Sequence, residues 1–468
     1  MRGRIAPLLA SLLAACSVGP QYSRPALDVP DAFRSETGAP TKESLADLSW
    51  WDVYRDPTLR DLLKTAVDQN RDIKIAAARV AEARAQAAIA RVAQLPQVNA
   101  DFNAERGRIL QSGGYVTGAL FSTAGQVSFE LDLWGRLASL SDAARSNLLA
   151  SEYARDGVTA SLVGDTATAY FDLISFDQQL RVTERTLGIR QRFLDLTQSR
   201  LRNGAAAAVD VNRAEASLAA TQAIAADLKR QIAQTENRLR ILLAENPAPI
   251  ARPAIDLEAL PPPPDVPPGL PSSLLQRRPD LLQAEANLVG ATANVRVAKA
   301  ALYPTISLTG SLGWESIELS RLFTGPTKVW SLGLDVLQPL INAQRNRYEV
   351  EGAQARAEQA LLQYQNAVAQ AFREVSDALV ARQNYDEQLR AQQQQVKSLQ
   401  EASARILRRY QVGYSSYFEV IDADNSLYAA QLLLVQARRN SLVTVVQLYK
   451  ALGGGWDQAA MSASGEMR

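Results

Sequence analysis

One order of elements is written twice along this chain: an Ala-rich helical stretch closed by proline, two alternating strands, a very long proline-free helical run, a glycine, and a shorter helix. In the first copy the pattern turns helical at Pro57, with Leu59, Leu62, Leu63, Ala66 and Val67 at three- and four-residue spacing, and stops at Leu95-Pro96. Val98, Ala100, Phe102 and Ala104 then alternate with Gln97, Asn99, Asp101, Asn103 and Glu105. Beyond a Gly-rich loop at Ser112-Gly113-Gly114, the same period of two returns from Gln126 to Asp132. No proline occurs from Leu137 to Asn203, which predicts one helix of about 100 Å at about 1.5 Å per residue. Gly204 interrupts it, and a shorter helix is predicted from about Val209 to Glu245.

The second copy runs through a helix from about Ser272 to Leu302, a stop at Tyr303-Pro304, and alternation at Ile306, Leu308, Gly310, Leu312 and Trp314. Trp330, Leu332, Leu334 and Val336 form its second strand, followed by a long helix from about Ala343 to Gln411, Gly413, and a helix from about Phe418 to Leu452. Gly204, Asp210, Val211, Ser217, Leu218, Ala220 and Gln222 fall against Gly413, Glu419, Val420, Ser426, Leu427, Ala429 and Gln431 at one constant offset, so the order is a duplication. The predicted organisation is a signal peptide (1–15), a Pro-studded extended arm (16–56) and a first repeat (57–245, hairpin 97–133). A Pro-rich linker (246–271), a second repeat (272–453, hairpin 304–338) and a flexible tail (454–468) complete it.

Composition removes most other classes. Lys and Arg number 50 against 49 Asp and Glu, without the basic excess that a nucleic-acid partner requires. The chain has no His, one Cys and three Met, which leaves metal and haem sites almost without ligands and an enzyme only carboxylates to work with. Phosphate-binding loops of the G-x-x-x-x-G-K-[ST] or G-x-G-x-x-G kind do not occur. No enzymatic activity and no cofactor are therefore expected.

Arg2 and Arg4, the short apolar run Ile5 to Leu13, and Ala14-Ala15 read as an export signal too short to span a bilayer. Cys16 follows Leu13-Ala14-Ala15, which resembles the lipobox of bacterial lipoproteins, and a thioether-linked lipid on Cys16 explains both its position and its solitude. Ser17, not Asp, comes next, which in the simplest sorting rule directs the lipoprotein to the outer membrane.

The strands have roughly the length that crosses a bilayer, and apolar-out, polar-in alternation suits a barrel with a wet interior. A soluble amphipathic sheet would instead bury its apolar face on helices, but the adjoining helices are too long and Ala-rich to cover so small a sheet. Four strands cannot close a barrel, and an open edge in lipid is forbidden, so several chains must assemble it. Val396, Leu399, Ser403, Ile406 and Tyr410 follow coiled-coil spacing, a stripe that core packing within a bundle would also produce.

Cys16, Trp50-Trp51 before Asp56-Pro57, Leu131 to Arg136 (LDLWGR), Gln276 to Asp280 (QRRPD), Tyr303-Pro304, Gln338-Pro339-Leu340 and the segment Tyr410 to Gln431 together resemble the TolC family. The likeness is strongest to its lipoprotein branch, which serves resistance-nodulation-division pumps. It implies an α+β membrane protein: a homotrimer with a twelve-stranded outer-membrane β-barrel, four strands per chain, continued by a long α-helical coiled-coil periplasmic tunnel. It further implies lipid contact in the outer membrane, docking to a periplasmic adaptor and an inner-membrane transporter of that class, and passive export of small molecules. A duct for secreted polypeptides has the same architecture, and a rod-like coiled-coil lipoprotein would share the helices but not the strands. Gly204 and Gly413 match positions that line adaptor-receiving grooves, although either glycine can equally be a helix C-cap. Glu419 and Asp422 match the acidic positions that ring the periplasmic aperture, with Phe418 at an apolar constriction; taken alone, these acids read as a solvated face. Asn425 stands where drug-efflux relatives often carry a basic residue. Arg213, the duplicate of Asp422, is the candidate to pair with an aperture acid.

Overall fold

The structure, a computed structural model, describes residues 18–27, 29–34, 44–111, 114–260, 269, 271–341 and 343–456. Residues 1–15, Cys16, Gly113, the run Pro261 to Pro264 and tail residues 457–468 lie outside them. The elements are α1 (Pro57–Gln69), α2 (Arg71–Val92), β1 (Gln97–Gln111), β2 (Gly114–Glu130), α3 (Arg136–Arg202) and α4 (Ala208–Leu242). They continue with α5 (Pro279–Ala300), β3 (Thr305–Ser316), β4 (Lys328–Leu337), α6 (Ala343–Gln411) and α7 (Tyr417–Ala451). One spatial unit gathers 18–27, 77–153 and 282–367, the other 29–34, 44–76, 154–281 and 368–456, so each draws on both repeats.

The first unit is built on a four-stranded antiparallel sheet in the order β1-β2-β3-β4. Direct cross-strand pairs Val98↔Val127, Val127↔Gly310, Leu308↔Leu334 and Leu312↔Trp330 put the apolar residues of all four strands on one face. That face is open in the chain: Trp330 is 75% and Leu332 80% exposed. The opposite face is polar and hydrogen-bonded across strands, Gln126 to Asp101 (3.0 Å), Thr309 to Asp335 (3.1 Å) and Ser311 with Ser331 (2.8 Å). An uncovered apolar face is the opposite of what a soluble amphipathic sheet needs. Pairing in the first hairpin runs past the alternating segment to Gln111↔Gly114, because ladder bonds are made by the backbone and persist where side-chain alternation has ended.

The LDLWGR segment makes the corner from β2 into α3. The Asp132 carboxylate accepts from the N–H groups of Leu137 (3.0 Å) and Ala138 (2.7 Å) at the helix start, Gly135 takes φ +70°, and Arg136 holds Glu130 with two donors (3.1 and 2.7 Å). Trp134 stacks on Tyr303 with ring centroids 4.8 Å apart and donates to the Pro304 carbonyl (2.8 Å). The arm 18–27 is tied down along this unit: Val18 N–H meets the Trp134 carbonyl at 3.4 Å, and Tyr22 (2.9 Å) and Arg24 both bond Glu285.

In the second unit the predicted helix over 57–95 is broken at Asn70. Its side chain accepts from Asp72 N–H (2.7 Å) and Ile73 N–H (3.2 Å), capping α2, and donates to the Leu242 carbonyl (2.9 Å). An apolar cluster of Ala66, Leu162, Ala169, Leu173, Leu239, Leu243 and Ile250 forms its core on this side. Arg252, beyond α4, bonds both Asp177 and Glu236 and staples the start of the linker to α3 and α4.

Candidate functional site

Both helix-to-helix turns of the second unit are built alike. At the end of α3, Gly204 has φ +73°, its N–H reaches the Leu201 carbonyl (3.0 Å), and Ala205 N–H reaches Arg200 (2.8 Å). At the end of α6, Gly413 has φ +86°, its N–H reaches Tyr410 (3.1 Å), and Tyr414 N–H reaches Arg409 (2.8 Å). Each is a Schellman cap, for which glycine is the residue without a Cβ penalty. A Cβ built on either glycine meets nothing within 4 Å, so both turns face open space.

Below the turns, Leu194, Val211, Ala214, Leu218, Tyr410, Tyr417 and Val420 pack into an apolar cluster that joins α3, α4, α6 and α7. Burial, with Tyr410 beside it, pushes the Tyr417 hydroxyl up to about 12. Phe418, Glu419 and Asp422 are exposed. Phe418 stays 56% exposed even though the Arg213 guanidinium lies 5.3 Å from its ring centroid. Arg213 and Phe418 are thus brought together by the two adjacent helix starts.

Glu419 has a local task as well. Ser416 caps α7, its Oγ accepting from Glu419 N–H (3.3 Å), while the Glu419 carboxylate accepts from Ser416 N–H (3.0 Å) and Oγ–H (3.0 Å). Those bonds from Ser416 hold the Glu419 carboxyl below the ordinary carboxylate range. Asp424, two residues past Asp422, is mostly buried and bonded to Arg190 (2.9 Å). Burial pushes the Asp424 carboxyl up, with Arg190 opposing. Asn425 accepts from the same arginine (2.7 Å).

Sequence reasoning missed Arg190. Its signal was a polar stripe on α3: Thr183, Thr186, Arg190 and Thr197 recur at three, four and seven residues, and all four are buried. Such spacing marks a shared face, but it does not say what that face meets: Thr221 on the next helix, and Asp424 more than two hundred residues away in sequence.

The chain as a whole has counterparts among known proteins. Residues 62–245 and 270–454 match the outer membrane efflux protein family. The chain belongs to this family. It is 34% identical over 452 residues to the cation efflux system protein CusC of Escherichia coli O6:H1, covering 96% of this chain and 98% of that protein. It is also 34% identical to the probable outer membrane lipoprotein SilC of Salmonella typhimurium, over 95% of this chain and 97% of the relative. The open-state structure of the Neisseria gonorrhoeae MtrE outer membrane channel superposes with a TM-score of 0.86 at 32% identity, over 95% of this chain and 99% of that one. The protein is therefore an outer-membrane channel component of an efflux system. Its fold class is the one expected from the sequence, with four strands per chain of a trimeric outer-membrane β-barrel and helices that form the periplasmic tunnel.

Proposed function

We propose that the protein is the homotrimeric exit duct of a tripartite pump, receiving small molecules from an inner-membrane transporter of the resistance-nodulation-division class through a periplasmic adaptor. It performs no catalysis and needs no cofactor beyond a lipid on Cys16, which anchors it beside the barrel in the outer membrane. Gly204 and Gly413 present the turns to the adaptor, and the two repeats, 57–245 and 272–453, each supply one turn. The observation that carries the reading is the split face of α7: Phe418, Glu419 and Asp422 stand outward, while Asp424 and Tyr428 on the opposite side are packed inward. Three copies of the outward face form an apolar constriction with carboxylate rings, which attract cations and repel one another. Arg213, stacked on Phe418, is a cation that the other turn brings to that face.

Planar-bilayer recording of the purified protein tests this. A heat-modifiable trimer with cation-preferring pores is expected; a monomer that leaves the bilayer silent contradicts it. Cys16→Ala is expected to abolish palmitate labelling while leaving barrel insertion in part intact, and unchanged labelling would remove the anchor assignment.

A further inference from the structure

Three helices converge on one arginine. Arg190 of α3 directs Nε to Asp424 Oδ2 (2.9 Å) and Nη2 to Asn425 Oδ1 (2.7 Å), both on α7. Its Nη1 donates to Thr221 Oγ1 (2.6 Å) and to the Ser217 carbonyl (3.1 Å), both on α4. The guanidinium also lies 5.2 Å from the centroid of the Tyr428 ring, and the Tyr428 hydroxyl meets Thr183 Oγ1 of α3 at 2.9 Å. The Arg190 side chain is only 8% exposed. A guanidinium presents its donors in a fixed plane, so four acceptors on two helices define where it and they must sit; a lysine ammonium fixes no such plane.

Helical geometry links this clasp to the outward face. Asp422 and Asp424 are about 200° apart around α7, at about 100° per residue. Holding Asp424 inward therefore turns Asp422, and Glu419 one turn before it, outward. Without Arg190 the buried Asp424 carboxylate loses its cation and takes up a proton or turns toward water, and in either case α7 loses the charged clasp that fixes its rotation against α4.

We propose that Arg190 is the positioning residue of the aperture: by clasping Asp424 and Asn425 against α4, it sets the axial rotation of α7 and so the direction in which Asp422 and Glu419 project. The proposal rests on the assignment of those two acids to the aperture. Simple electrostatics and positioning make opposite demands, which is what allows a test. Removing a positive charge near an acidic ring strengthens cation preference, whereas rotating the ring acids out of the aperture weakens it.

The experiment records single channels of the native trimer, Arg190→Gln, Arg190→Lys, Glu419→Ala with Asp422→Ala, and the triple variant Arg190→Gln, Glu419→Ala, Asp422→Ala. Arg190→Gln is expected to lose cation preference, Arg190→Lys not to restore it fully, and the triple variant to lose no more than the acid pair alone, since coupled sites are non-additive. If the acid pair itself records as native, the aperture reading fails and this proposal with it. If the acid pair is altered but Arg190→Gln keeps or gains cation preference, or lysine restores it in full, or the triple variant loses clearly more than the pair, the positioning role alone fails. Should Arg190→Gln not assemble, Asn425→Ala and Thr221→Val, each removing one acceptor, are expected to show smaller losses in the same direction. Native selectivity in both overturns the proposal.

Discussion

The two turns of the second unit share a backbone and differ in their side chains. Gly204 and Gly413 close their helices with the same pair of carbonyl bonds, and at the constant offset between copies Asp210 stands against Glu419, each at the third position of its helix. Beyond that the copies part. Ser416 caps α7 through its hydroxyl, whereas Ala207 at the matching position of α4 has no side-chain oxygen; its N–H donates to the Asp210 carboxylate (3.4 Å) and its carbonyl accepts from Asp210 N–H (3.0 Å). Arg213 replaces Asp422, and Ala216 replaces Asn425. Backbone geometry was thus retained in both copies while charge was reversed at one position, Arg213 on the first turn and Asp422 on the second. A duplicated hairpin that only had to fold would need no such reversal.

Exchanging residues between the copies breaks the comparison most strongly at Asp422. Asp422→Arg gives the second turn the first turn's residue and is expected to convert a cation-preferring pore into an anion-preferring one, measured as a reversal of the zero-current potential in a salt gradient. Arg213→Asp makes the opposite exchange and is expected to deepen cation preference; an unchanged reversal potential would separate Arg213 from the aperture. Smaller effects fall on the caps. Ser416→Ala is expected to cost the first turn of α7 about 1 kcal/mol, and Ala207→Ser to add about 0.5–1 kcal/mol to α4, both read from amide exchange at the helix starts. Equal exchange in parent and variant would mean that packing alone holds these ends.

The pH dependence of the same cap is the smallest effect expected. Because Ser416 holds the Glu419 carboxyl below its ordinary range, the ionised form supports the cap. That support is complete above the unfolded carboxylate range and is lost as pH falls through the lower folded value. Protection of the first α7 turn should therefore decline on acidification in the parent and stay flat in Glu419→Gln.

Much of the fold was legible because it rests on short-range rules. Alternation at Val98 to Glu105 and at Ile306 to Trp314 specifies strands with one apolar face, and a glycine after a long helical run specifies a left-handed cap. Asn70 was not legible: it sits within helical periodicity, and its cap of Asp72 and Ile73 is held by a bond to the distant Leu242 carbonyl that no local pattern announces. The site was legible as residue types but not as partnerships. Glu419 and Asp422 were found together, yet the capping box that occupies Glu419 depends on Ser416 entering the helix at the right angle. Asn425 stood out in sequence as the absence of a base, while the base that meets it, Arg190, comes from α3. Hydrogen bonds between helices far apart in sequence leave no local period to read.

The most direct measurement is the single-channel conductance and ion selectivity of the Glu419→Ala, Asp422→Ala trimer beside the native one. If these acids ring the aperture, the double variant conducts more, admits large antibiotics, and loses cation preference at unchanged expression. A double variant with native conductance and native selectivity would contradict the assignment.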